Sequence, residues 1–206
     1  MSNQINNAIS FPIKLEKRLE EAINLFESSS ENEKKYLDTF ISLLDEGCEE
    51  ASFYIGCIYE EGLKGEKRDI EKAIFYYERS EEYVGDVESL LALGRIYYYG
   101  IDVSIDYEKS FEYFSLIEKQ TKNGIASFML GKFYLNGVLV EEDLSKAEEL
   151  FTNAIEKGYV YGLRNMADFE KKKGNKLRSF FYIIRSVIKT FKIALKNPKD
   201  VRLRAG

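Results

Sequence analysis

The sequence predicts an all-α protein, a right-handed α-solenoid of helix-loop-helix repeats of about 37 residues with a terminal capping helix. Three observations carry this expectation. A short motif recurs three times at nearly constant spacing, apolar residues within each copy follow a helical period, and only two prolines, Pro12 and Pro198, occur in 206 residues.

The three copies superpose without a gap over residues 51–62, 89–100 and 126–137. Gly56, Gly94 and Gly131 are spaced by 38 and 37, as are Gly62, Gly100 and Gly137, and Tyr59, Tyr97 and Tyr134. Asp69, Asp106 and Asp143 follow at intervals of 37, each with a small residue four positions on: Ala73, Ser110 and Ala147. Then come paired large side chains, Tyr76-Tyr77, Tyr113-Phe114 and Leu150-Phe151. A fourth, weaker copy runs from Gly162 through Met166, Ala167 and Gly174 to Tyr182 and Ile183.

Each element has a physical reason. Ala51, Ile55 and Tyr59, with their equivalents, form an apolar stripe at four-residue spacing, the mark of a first helix. A glycine inside that helix costs about 1 kcal/mol of propensity, so three copies at one register predict a neighbour too close for a Cβ. Gly62, Gly100 and Gly137 fall where a helix end needs positive φ. The three aspartates fall where a second helix needs an N-cap, and Ala73, Ser110 and Ala147 supply the small side of an antiparallel contact. A pair of this kind cannot bury its apolar face alone and must stack on the next.

The organisation expected from this is an N-terminal helical cap or degenerate repeat over 1–46, repeats over 47–82, 83–119 and 120–157, and a degenerate repeat over 158–188. The first segment reads as two helices, Lys14 to Glu27 and Glu31 to Glu46. A basic amphipathic helix and tail, 177–206, overlaps the last repeat. Its stripe of Phe180, Ile184, Val187, Ile188, Phe191 and Leu195 lies beside Arg178, Arg185, Lys189, Lys192 and Lys196. Capping, with the apolar side sealing the last repeat and the charged side outward, is the expected role; binding of a membrane surface or of phosphate is the sharper alternative. Around Pro198 the tail is expected to fray.

The pattern small-x-x-x-Leu-Gly-x-x-Tyr-x-x-Gly followed by Asp-x-x-x-Ala-x-x-Tyr-Tyr resembles the Sel-one-like repeat, a relative of the tetratricopeptide repeat with a longer inter-helix loop. The resemblance covers residues 47 to 188, with departures at Ser89, Ser110 and Ala167. It implies an α-solenoid that acts as a protein-binding adaptor through a concave surface lined by first helices. On the tetratricopeptide arrangement the groove side chains are Phe53, Cys57 and Glu60 in the first copy. The second contributes Leu91, Arg95, Tyr98 and Tyr99, the third Phe128, Lys132 and Leu135, and the fourth Arg164 and Asp168. Aromatics with a few arginines are what binding hot spots favour. The competing reading of Phe53, Leu91 and Phe128 is packing on a neighbouring helix.

Composition narrows the chemistry. With no His in the chain, Ser-His and Cys-His pairs, His-based zinc sites and imidazole switches are excluded. No phosphate-binding Gly-rich loop occurs. Glu60-Glu61 and Glu141-Glu142-Asp143 lack calcium-loop spacing and read as solvated helix ends or loops. Cys48 and Cys57, the only two thiols, fit a reducing compartment. No enzyme, cofactor or metal is expected. Met1 to Phe11 shows no secretory signal, and bases interrupt the longest apolar stretch, Phe180 to Leu195, so a cytoplasmic protein is expected.

The net charge of −5 resolves into −13 over residues 1 to 175 and +8 from Lys176 onward. An acidic body suits a basic protein partner. Proteins of this repeat family resemble some immunity proteins encoded beside interbacterial toxins, so the expected role is a stoichiometric binder neutralising a cognate toxin effector. Nucleic acid is not an expected partner, since no aromatic platform accompanies a basic groove. The alternative is a regulatory or trafficking adaptor held at a membrane surface by the C-terminal helix.

Overall fold

Helix boundaries in the computed structural model follow the capping chemistry of the repeats. The structure describes residues 13–28, 33–62, 67–159 and 161–196. Among these are ten helices and no strand. The first five are α1 (Ile13–Ser28), α2 (Glu33–Asp45), α3 (Ala51–Glu61), α4 (Ile70–Val84) and α5 (Val87–Tyr99). The others are α6 (Tyr107–Thr121), α7 (Gly124–Asn136), α8 (Leu144–Glu156), α9 (Gly162–Lys172) and α10 (Lys176–Lys196). The expectations for the first twelve residues and for the tail beyond Lys196 lie outside the described residues.

All three aspartates cap. Asp69, Asp106 and Asp143 sit in extended conformation, and their carboxylates accept from Lys72 N, Lys109 N, and Ser145 and Lys146 N respectively. Each satisfies donors that the first turn leaves unpaired. At the other end of the first helix, Gly62 and Gly137 stand at φ 62° and 63°. A Cβ at Gly62 would also meet Arg68 N at 2.8 Å.

The mid-helix glycines are notches for rings. A Cβ at Gly56 would lie 2.6 Å from the Tyr77 ring, one at Gly94 2.8 Å from Phe114, and one at Gly131 2.6 Å from Phe151. The expected close neighbour is therefore the second of each large pair. The small residues let the helices approach: Ala73, Ser110 and Ala147 are fully buried, and Ser110 Oγ donates to Gly94 O at 2.8 Å.

The chain forms two compact units, divided within α5. Residues up to Leu93 with Ile101–Val103 form one; Gly94–Gly100 with the residues from Ser104 on form the other. In the first, α1 and α2 close one side of α3, where Phe26 meets Phe40 and Tyr54 edge-on and the Phe40 and Tyr54 rings stack at 5.0 Å. Arg79 holds Glu49 through two bonds of 2.7 and 2.9 Å.

In the second unit α7 packs on α8, α8 on α9 and α9 on α10. α10 covers α9, but with a different side from the one the apolar stripe suggested. Ser179 is buried and Tyr182 and Ser186 half-buried, whereas the six stripe residues are 41–70% exposed. The reason is register: Asn175 stands four residues before Ser179, as Asp143 stands before Ala147, so the small residue again sets the contact.

Candidate protein-binding surface

The groove candidates separate into one cluster per unit. In the first, the α3 side chains of Phe53, Cys57 and Glu60 converge on Tyr77 of α4. The Phe53 and Tyr77 rings are 6.0 Å apart, and the Tyr77 hydroxyl donates to Glu60 Oε2 at 2.8 Å, with Cys57 Sγ at 3.6 Å. Glu60 is buried, contrary to the solvated helix end expected of the Glu60-Glu61 pair. The hydroxyl that reaches over the Gly56 notch gives its carboxylate a donor inside the unit. Burial pushes the Cys57 thiol up to about 12 and raises the Tyr77 phenol as well. Leu91 is buried in the same unit.

In the second unit Lys132 of α7 gathers the aromatic side chains. Its Nζ lies 4.4 Å from the Tyr98 ring centroid, 5.3 Å from Tyr99 and 5.9 Å from Phe128, and donates to the Tyr99 hydroxyl at 3.4 Å. Cation–π contacts of this type are worth about 0.5–1 kcal/mol at exposed sites. Tyr99 is 54% exposed and Lys132 half-buried, so it is the Tyr99 ring that presents itself to solvent. Behind them, Tyr98 stands edge-on to Phe133 at 5.3 Å, which fixes its ring. Phe128 and Leu135 are buried, and the Phe128 ring, against Lys132, forms the floor. Arg95, Arg164 and Asp168 are exposed.

Tyr159 and Tyr161 were not among the groove candidates. The Tyr159 ring is 4.9 Å from Phe128 and 5.4 Å from Tyr161, and burial pushes its phenol up to about 12. Both lie just before α9, outside the repeated motif, so repeat alignment carried no signal for them. Their density of aromatic residues was the one cue. Of the acidic pair and its neighbour in the third copy, Glu142 binds Lys172 Nζ at 2.9 Å and Asp143 caps α8. Among the described residues no group of three metal-ligating side chains occurs, and no helix is long and apolar enough to cross a membrane.

The family model of the Sel1 repeat matches residues 49–82, 87–120 and 124–159, just over half the chain. The chain belongs to the Sel1 repeat family. Its fold is shared with a Sel1 repeat protein from Oxalobacter formigenes, at TM-score 0.71 and 17% identity over 88% of this chain and 74% of that one. A protective antigen of uropathogenic Escherichia coli displaying an SLR fold matches at TM-score 0.71 and 22% identity, over 85% of this chain but only 38% of its own length. An immunity protein from Pseudomonas aeruginosa matches at TM-score 0.54 and 15% identity, over 87% and 67%. No curated protein matches in sequence. Sel1 repeats are protein-interaction scaffolds, and this member carries ring and cation groups on its first helices.

Proposed function

We propose that this Sel1 repeat protein is a non-catalytic binding module that neutralises a cognate bacterial toxin as an immunity protein. The observation that carries the binding role is the Tyr98, Tyr99 and Lys132 cluster, a rigid aromatic surface with an exposed ring over a packed floor. Rings held in place lose little entropy on binding, which is what makes tyrosines effective anchors. The fold shared with an immunity protein supports the specific role.

Long-range and short-range terms divide the work. The −13 carried by residues 1 to 175 attracts a basic partner and speeds capture at low salt. Arg95, Lys132 and Arg164 then meet acidic or carbonyl groups within the contact. Affinity isolation of the chain from its host at low salt tests this. A basic protein recovered near one-to-one by the native chain, and lost in the Tyr99→Ala/Lys132→Ala variant, is the expected result. Recovery of the chain alone, where the partner is expressed, sinks the proposal.

A further inference from the structure

The side of α10 turned away from α9 carries a run of exposed apolar side chains among the described residues. Phe180, Ile184, Val187, Ile188, Phe191 and Leu195 are 41–70% exposed along one helix of 21 residues. An exposed run of large apolar side chains along one side of a helix marks an interaction site. α10 also carries six Lys/Arg and no Asp or Glu. On the helical period, Arg178, Arg185, Lys189 and Lys192 line one edge of the apolar arc. Arg178 is tied to the Glu170 carboxylate at 3.6 Å, whereas Arg185 and Lys192 are exposed beside the arc.

From this geometry we infer that α10 docks this protein on an anionic lipid surface, lying in the interface plane with its apolar arc in the acyl boundary. The helix is about 30 Å long and its six bases bar it from spanning, so a parallel orientation is the one that buries the arc and keeps the cations at the headgroups. The arc is convex, the flank of a single helix, and lipid moulds to it without a preformed groove. Charge selects the lipid: a helix with bases and no acids is drawn to anionic headgroups. Charge also argues against a second copy, since pairing two α10 helices brings six cations onto six. The arc shares no residue with the Tyr98, Tyr99 and Lys132 cluster, so this inference stands or falls independently of the toxin-binding role.

The test is flotation of the full chain with vesicles of phosphatidylcholine containing one-third phosphatidylglycerol, against phosphatidylcholine alone. The chain is expected to float with the anionic vesicles. Arg185→Glu/Lys192→Glu should cut partitioning roughly tenfold or more, and Val187→Glu/Phe191→Glu should reduce it to background with helix content unchanged by circular dichroism. Because the chain contains no Trp, Phe191→Trp gives a second readout in a nearly native protein. Its emission should shift to the blue only with the anionic vesicles. Absence of flotation, equal partitioning to the neutral vesicles, undiminished binding by Val187→Glu/Phe191→Glu, or an unshifted Phe191→Trp emission would overturn the inference. So would a dimer, or a complex with a protein, that covers Phe191→Trp while vesicles do not.

Discussion

The Phe151 ring occupies the space where Gly131 has no side chain, 2.6 Å from the position of a Cβ. Phe151 is completely buried, so the ring has nowhere to go. Gly131→Ala should gain about 1 kcal/mol of helix propensity and lose about 1–3 kcal/mol to overpacking. We expect a net loss, read as a lower denaturant midpoint. Gly131→Ala/Phe151→Leu should be more stable than the sum of its single changes, because removing the ring removes the clash. A Gly131→Ala variant more stable than the native chain would refute the notch.

The first repeat uses the same notch with a hydroxyl added. Tyr77 stands where Phe114 and Phe151 stand, and its hydroxyl donates to the buried Glu60 at 2.8 Å. Tyr77→Phe restores the residue of the other repeats but takes a donor from a carboxylate. It should cost about 1–3 kcal/mol. The position equivalent to Glu60 is Leu135 in the third repeat, so Tyr77→Phe/Glu60→Leu should recover most of that loss. Thermal unfolding of the four members of this cycle checks the coupling; additive effects would show that the two residues do not act as a pair.

These two relationships mark what the sequence makes legible. Spacing alone placed the glycines, the caps and the small residues, because each answers a local backbone demand that repeats with the unit. It could not show that the space above Gly56, Gly94 and Gly131 is filled by a ring, or that Glu60 is buried, since both depend on side-chain reach across the pair. The apolar stripe points to the wrong face of α10 for a related reason. Its stripe is more apolar than the Ser179, Tyr182 and Ser186 side, yet the repeat register, fixed by Asn175 and Ser179, decides which side meets α9. Groove residues such as Arg95 and Lys132 share one position in the motif; Tyr159 lies outside it and left no periodic trace.

Cys48 is buried, and Cys57 is half-buried beside the Tyr77 hydroxyl. Burial pushes Cys48 up to about 11 and Cys57 up to about 12, above their ordinary value of 9.0. The folded protein therefore favours the neutral thiol. That stability is fully present below the unfolded value and is lost as pH rises through the raised folded values. At pH near 8, thiol-disulfide reagents should label the native chain far more slowly than the denatured chain. Rapid native labelling of both would contradict this packing. Stability should also decline on the alkaline side of pH 9.0, and less steeply in Cys57→Ala.

The Asp69 cap gives the opposite sign. Hydrogen bonding from Lys72 N, together with the Lys72 ammonium, holds its carboxyl below the ordinary 3.8. A lowered folded value means that the charged form stabilises the fold. The contribution is fully present above the unfolded value and disappears as pH falls through the folded one. Asp69→Ala should thus lower the unfolding midpoint at neutral pH and approach the native chain at a pH well below 3.8. Asp69→Asn keeps an oxygen acceptor but no titrating group, so its stability relative to Asp69→Ala should not fall away in acid. Unfolding of the three proteins across the acid range measures both trends. A native-to-alanine difference that stays constant down to the lowest pH would show that the charge on Asp69 plays no part in the cap.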